Sequence, residues 1–463
     1  MLALEALASR KIIPSEVIGM KKVIIVGGGF AGASAALELQ SPNVQVELIE
    51  SRGMLGGRFY SFPPTQNFPF PIDNGPHLMM GCYHETLRLF KKINALSQLT
   101  MMHPLQLSWV LPNQQKQVLH CSNLPAPFHL LFGLWNSKAF TWKDKMNLVQ
   151  SLHRFKKKPF SLPTHLVTVE DFLSYIKASP NTQELFWNPL CKSILNLPPQ
   201  VALIRSLGEV FSQAFFQSIM DSRLVFFSKP LSEIFFPNFK KIFESNHGLI
   251  HYHEGIQEIK IQNKTFELIS KNQKCFSGDA LILAIPPYSI HRFSLNAEWI
   301  RTLNFESLGK SSIMSVHLVL SQAIFHEPFL GLPYSPFDWI FNQTQNWNYQ
   351  TQEQYLSLVR SASSQDTLNS DAFWIQEAEK VLRSRFKINP DLKILYSKVT
   401  REMAATFVWN QTNDALRPSS ETSFQNIFLA GDWTQTHLPA TIESACLSGY
   451  LAASKVKTFL NIN

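Results

Sequence analysis

Residues 22–50 read KVIIVGGGFAGASAALELQSPNVQVELIE. The run 22–26 is short, apolar and β-branched, the pattern of a strand buried on both faces of a parallel sheet. Gly27, Gly29 and Gly32 follow at G-x-G-x-x-G spacing. Residues 30–40 read as a helix that opens on Phe30 and Ala31 and is rich in small side chains, and residues 44–49 read as a second strand closing on Glu50. Each part has a physical task. Gly27 permits a tight turn, Gly29 lets the backbone approach a pyrophosphate, and Gly32 lets the helix pack closely on the strand. The helix N-terminus offers free N–H groups and a positive dipole end to phosphates, and the acid at the end of the second strand accepts bonds from a ribose diol. A lone glycine motif is weak, but strand, glycines, helix, strand and acid in one register predict a doubly wound α/β domain that binds a dinucleotide.

The next residues narrow the dinucleotide. Glu50 to Arg58 read ESRGMLGGR, an E-x-R-x-x-x-G-G-R pattern. It resembles the flavin amine oxidase and carotenoid desaturase superfamily, whereas a nicotinamide dehydrogenase has no need of a second glycine pair here. The resemblance implies FAD as cofactor and a Rossmann-type FAD-binding domain with an inserted α+β substrate domain. Residues matching Glu50 and Arg52 bind the adenosine ribose region. Those matching Gly56, Gly57 and Arg58 line the diphosphate and flavin.

Residues 72–86, IDNGPHLMMGCYHET, resemble the hydroxysqualene dehydroxylase branch of that superfamily, as do 124–131, 186–199 and 428–449. The resemblance therefore runs over nearly the whole chain. It places Asp73, Asn74, Gly75, Pro76 and His77 near the flavin and Ile256 at the adenine. It also places Gly431 and Asp432, after a strand over 426–430, at the ribityl or diphosphate part. A helix starting near Thr441, preceded by Pro439 and Ala440, would aim the first-turn N–H groups of Ile442 and Glu443 at the flavin N1/O2 edge. Two residues depart from the pattern: His437 and Ser444 stand where the family usually has Gly, and either could crowd the flavin edge.

The FAD domain is expected in three pieces, 20–93, 234–291 and 395–463, with 94–233 and 292–394 forming the substrate-binding and membrane-contact domain. Helices are predicted over 140–153, 169–178, 183–196 and 203–219, and strands over 311–320 and 338–341. Residues 1–19 lack the apolar core of a signal peptide, and Met20 stands directly before the first strand, which marks 1–19 as a leader or an untranslated stretch.

Composition agrees with an apolar substrate. Charged residues are 16% of the 463, against about 25% in an average soluble protein, and there are 36 Phe. Phe211, Phe215, Phe216, Phe226, Phe227, Phe235 and Phe236 are candidates to line a tunnel, with core packing as the plainer reading. The net charge of +8 and the basic stretch Lys138–Lys158, interleaved with Phe140, Trp142, Leu148 and Phe155, suit a helix on anionic lipid, with Lys240 and Lys241 as possible additions. No recognition motif supports nucleic acid as a partner. Five scattered cysteines without C-x-x-C spacing argue against a disulfide scaffold or a zinc site and suit a reducing cytosol. The expected location is cytoplasmic, peripheral on the inner face of the membrane.

The resemblance implies removal of the hydroxyl of hydroxysqualene, a C30 isoprenoid, to give squalene in hopanoid or related triterpenoid synthesis, with an unspecified electron donor for FAD. Breaking the carbinol C–O bond leaves an allylic cation that a hydride from reduced flavin N5 quenches. Loss of hydroxide needs a proton donor. Asp73, His77, Tyr83 and Glu443 are candidates, and His77 is preferred for its near-neutral pKa. Hydride transfer in the opposite direction gives the alternative, a carotenoid or phytoene-type desaturase; an amine or protoporphyrinogen oxidase is the third reading.

Overall fold

A computed structural model describes residues 19–156, 160, 162–262, 264–290, 294–295, 308–364 and 369–462. The stretch 1–18, and Lys157 and Lys158 of the basic stretch, lie outside the described residues.

The opening motif folds as its pattern dictates. Strand Lys21–Val26 runs parallel to Val44–Ile49 on one side and to Ala280–Leu283 on the other. Leu249–His251 and Ile427–Leu429 complete a five-stranded parallel sheet. The sheet thus gathers segments from the start, the middle and the end of the chain, and Val23, Ile24 and Ile25 at its centre are fully buried. Helix Phe30–Leu39 and the carboxyl-terminal helix Ile442–Leu460 cover one face. Their small residues allow backbone contact: a Cβ on Gly449 would lie 2.2 Å from the Ala31 carbonyl oxygen. The other face carries a four-stranded sheet built from 256–262, 265–270, 275–276 and 294–295.

The second half of the molecule is a seven-stranded sheet with a helical layer. Its strands, in spatial order, are 394–407, 310–320, 354–360, 339–342, 329–331, 106–110 and 116–120. The long strand Ile394–Phe407 pairs with Lys310–Leu320 in this sheet, so the third piece assigned to the FAD domain, 395–463, begins too early: its first strand is hydrogen-bonded into the other half. The helices include Trp142–Lys156, Val169–Tyr175, Asn188–Leu195 and Ile204–Phe215. The helix read over 183–196 is interrupted at its start by a wide π turn, Gln183–Trp187.

The phenylalanines mostly make core. Phe155, Phe172, Phe186 and Phe211 pack with Trp187 in the helical layer. Phe227 and Phe235, with Phe236 packed against them, belong instead to the core of the five-stranded parallel sheet. Phe235, Phe239 and Phe243 turn inward along one face of helix Leu231–Ser245. Lys240 and Lys241 are exposed, but Phe235, Phe239 and Phe243 on the same helix are buried away from them.

Candidate functional site

The glycine loop forms a cradle whose shape is set by missing side chains. Gly27 adopts φ +108°, and a Cβ on Gly32 would meet the Gly27 carbonyl oxygen at 1.9 Å. Gly29 differs: the nearest atom to a Cβ there is the Gly57 Cα at 3.8 Å. The two glycine segments thus lie backbone against backbone at van der Waals distance, joined by a bond from Gly56 N to the Gly28 carbonyl of 2.7 Å. Helix Phe30–Leu39 has no side-chain cap and no acid in its first turn, so the N–H groups at Phe30, Ala31 and Gly32 are left for an anion. A diphosphate fits this cradle.

Glu50 is buried, and its carboxylate braces the loop. It accepts from Gly28 N at 2.9 Å and from Arg52 N at 2.9 Å, leaving further lone pairs for a ribose. Glu254 N bonds the Glu50 carbonyl at 3.0 Å, which ties the turn leading to Ile256 to the same strand end. Arg52 donates to the Gly57 carbonyl at 2.6 Å, closing the second glycine pair.

Arg58 and Asp432 come together from opposite ends of the chain at 2.7 Å. They line a cavity of about 310 Å³ shared with Pro286, Tyr288, Lys310 and Trp433. The carboxyl-terminal helix starts beside Asp432: Ser444 in its first turn donates to the Asp432 carbonyl at 3.2 Å. Ala440, Thr441 and Ile442 keep partial exposure between buried Leu438 and Pro439 on one side and buried Glu443 and Ser444 on the other. The Thr441 side chain caps only Ser444 N, so the N–H groups of Ile442 and Glu443 have no side-chain cap. The Glu443 carboxylate turns away from them. It accepts from Glu85 N, Thr86 N and the Thr86 hydroxyl at 2.8–2.9 Å, capping helix His84–Lys92. Burial raises its pKa even so. Its geometry is that of a clamp between helices.

The stretch from Asp73 to His77 borders the Arg58 end. The Asn74 amide donates to the Arg58 carbonyl at 3.2 Å and to Glu402 at 2.8 Å, and a Cβ on Gly75 would find open space. Pro76 and His77 are half-buried. The near-neutral pKa expected of His77 is not what the fold provides: burial, with the Arg58 charge added, holds it down to about 4, so the imidazole is neutral at pH 7. Asp73 moves the other way. It is 3% exposed, and burial pushes its carboxyl up to about 7 against bonds from the Ser61 hydroxyl at 2.6 Å and Leu231 N at 3.1 Å. Of these two, Asp73 is the one that holds a proton near neutrality.

The two departures from the family pattern resolve differently. His437 sits at φ +60°, the left-handed region that favours Gly, but its side chain is exposed. Ser444 is fully buried and bonds Thr436 at 2.6 Å and the Asp432 carbonyl at 3.2 Å, so its hydroxyl stitches the loop that carries Asp432.

Sequence reading missed Arg417 and Glu402. The buried Arg417 guanidinium donates to the carbonyls of Leu438, Asp432 and Thr434 and lies over the Trp409 ring at 4.4 Å. It holds the 432–438 loop from inside. No local pattern marks a single arginine in a polar segment for such a role.

A parallel sheet with a glycine loop, a second glycine pair and a carboxyl-terminal helix that starts beside Asp432 defines, with the family match that follows, an FAD-dependent oxidoreductase. The chain belongs to the family described as flavin containing amine oxidoreductase, whose model matches residues 30–457. It is 24% identical to the hydroxysqualene dehydroxylase of Zymomonas mobilis, over 93% of this chain and 97% of that protein. It is 22% identical to the 15-cis-phytoene desaturase of an Oncidium hybrid, over 94% of this chain and 77% of that one. The fold is that of an oxidoreductase from Methanosarcina mazei, with a TM-score of 0.70 at 14% identity, covering 92% of this chain and 98% of that one.

Proposed function

We propose that this protein removes the hydroxyl of hydroxysqualene to give squalene. The observation that carries this reading is the end-to-end agreement with a hydroxysqualene dehydroxylase, 97% of whose length is matched, where the desaturase match leaves nearly a quarter of its partner uncovered. The chemistry of the site supports the same direction. Dehydroxylation needs a proton for the departing oxygen, whereas desaturation does not.

Reduced FAD, when bound, supplies the hydride. The cradle at Gly27, Gly29, Gly32, Gly56 and Gly57 would hold its diphosphate, and Arg58 with Asp432 would set the cavity end. Asp73 gives its proton to the hydroxyl oxygen as the C–O bond breaks. The bonding pair leaves with oxygen as water, and the positive charge left on the allylic carbon is what a hydride from bound reduced FAD would neutralise. A buried carboxyl with a pKa of about 7 is a better donor at neutral pH than an exposed one. Neutral His77 adds no positive charge beside a developing cation.

The test is anaerobic incubation of the FAD-loaded, dithionite-reduced protein with hydroxysqualene. Squalene should form in step with loss of the reduced-flavin spectrum. Oxidised protein that instead dehydrogenates phytoene, with hydroxysqualene untouched, would replace this reading with the desaturase one.

A further inference from the structure

From Cys121 to Ser137 the chain contains no Asp, Glu, Lys or Arg. The middle of this run is helix Phe128–Asn136. Its inner face, His129, Leu130, Gly133 and Leu134, is buried, and a Cβ on Gly133 would come within 3.1 Å of Cys121, so the helix lies tight on the body. Its outer face carries Phe128, Phe132 and Trp135, one above another at i, i+4 and i+7. All three are exposed, Phe128 at 58%. The one titratable group on this helix, His129, faces inward.

The apolar face continues onto the next helix. Trp135 meets Trp142 edge-on at 4.7 Å, Lys145 donates to the Trp135 carbonyl, and Trp142 is 61% exposed with Met146 beyond it. Lys138 and Lys143 are exposed at the rim. The one acid between Cys121 and Lys156, Asp144, is buried and accepts from Thr141 N and its hydroxyl. Between Cys121 and Lys156 the chain therefore presents aromatic rings and positive charge on this face and adds no exposed acid to it.

A water-facing helix carries polar residues on its outer side. Large aromatic residues there, collared by lysines, match the boundary between lipid headgroups and acyl chains, where amphipathic aromatics settle and lysines meet lipid phosphates. A protein partner matched to this charge would need an acidic surface around an apolar centre; a bilayer containing anionic lipid presents both layers without further design. No helix among the described residues is long and apolar enough to cross a membrane, so the contact is one of lying on the surface.

We propose that helix Phe128–Asn136 and the start of helix Trp142–Lys156 form a membrane-docking face that seats Phe128, Phe132, Trp135 and Trp142 in an anionic bilayer, with Lys138 and Lys143 against its headgroups. The face lies ahead of much of the basic stretch 138–158, and it is independent of the substrate assignment.

Co-sedimentation of the FAD-loaded full chain with vesicles tests it. The protein should partition onto phosphatidylcholine vesicles containing phosphatidylglycerol and far less onto phosphatidylcholine alone, with binding weakened by salt. The Phe132→Ser/Trp135→Ser variant should bind at least about tenfold more weakly, and Lys138→Gln or Lys143→Gln about fivefold. Each variant should keep its flavin and its thermal midpoint, since the altered side chains are exposed. Equal binding by wild type and Phe132→Ser/Trp135→Ser overturns the proposal, as does absence of binding to the anionic vesicles. So does vesicle-free self-association that the same variant disperses, which would make the face a contact between copies of the chain.

Discussion

The five-stranded sheet and the helical layer over the seven-stranded sheet are both densely buried, but they are shaped by different constraints. In the first, backbone meets backbone: Gly32 against the Gly27 carbonyl and Gly449 against the Ala31 carbonyl. No side chain of any kind fits those contacts. In the second, Phe155, Phe172, Phe186, Trp187 and Phe211 fill a volume, and a different set of apolar side chains of similar total size would fill it nearly as well. One half is specified atom by atom, the other by shape and hydrophobicity.

The sharpest way to break this contrast is Gly32→Val. The added Cβ would lie 1.9 Å from a backbone oxygen that cannot swing away. The expected result is loss of bound flavin together with a destabilisation of about 4 kcal/mol or more, the range in which severe steric change falls. Flavin absorbance per chain and thermal unfolding would check it. A variant that retains full flavin would mean that the loop has slack the structure does not show.

Next in size is Asp73→Asn. Squalene formation should fall by about a hundredfold or more with flavin still bound, whereas His77→Ala should stay near wild type because the imidazole is already neutral. In the parent, turnover should decline as pH rises past about 7 and Asp73 loses its proton. Stability gives an independent readout. A carboxyl whose folded pKa is raised favours folding most below its unfolded value near 4. That contribution is lost as pH climbs to about 7, a change of up to about 4 kcal/mol. Asp73→Asn should therefore be more stable than the parent at pH 8 and have no such advantage at pH 4. Equal turnover in both proteins would remove Asp73 as the proton source.

These two sites also show why the sequence was legible unevenly. Gly27, Gly29, Gly32, Gly56 and Gly57 appear as a pattern because each answers a local backbone demand: Gly27, Gly56 and Gly57 take positive φ, and Gly32 packs on the Gly27 carbonyl. The Asp73 and His77 pKa values depend on burial by segments remote in sequence, Leu231 among them, so the preference between the two could not be read from residues 72–86. Arg417 was invisible for the same reason: its partners are carbonyls, which every residue carries. Strand Ile394–Phe407 was assigned to the wrong half because its pairing with Lys310–Leu320 is a long-range register choice that its own residues do not announce.

In the volume-filled half, Phe211→Leu should cost about 1 kcal/mol and leave flavin content unchanged, although Phe211 is fully buried and its ring stacks on Phe155 at 5.6 Å. The measurement is chemical denaturation alongside the flavin-to-protein ratio. Loss of flavin from so conservative a change would show that the helical layer shapes the cofactor site, and the division drawn between the halves would fail.

The smallest effect belongs to His437, where the backbone-limited half tolerates a side chain at a position suited to Gly. Its φ of +60° carries a modest penalty for a non-glycine residue, eased because His is among the residues that enter this region more readily than most. His437→Gly removes that strain but gives the unfolded chain more freedom to lose on folding. The two terms oppose each other, so stability should change by less than about 1 kcal/mol. Flavin affinity should be unchanged, because the His437 side chain is exposed and not turned into the cavity. Flavin titration of the apoprotein decides the point. Tighter binding in His437→Gly would mean that the imidazole does crowd the ring edge when FAD is in place. Unchanged binding would mean that the loop is held to its course by Arg417 and Ser444, whose bonds to Asp432 and its neighbours remain whichever residue occupies position 437.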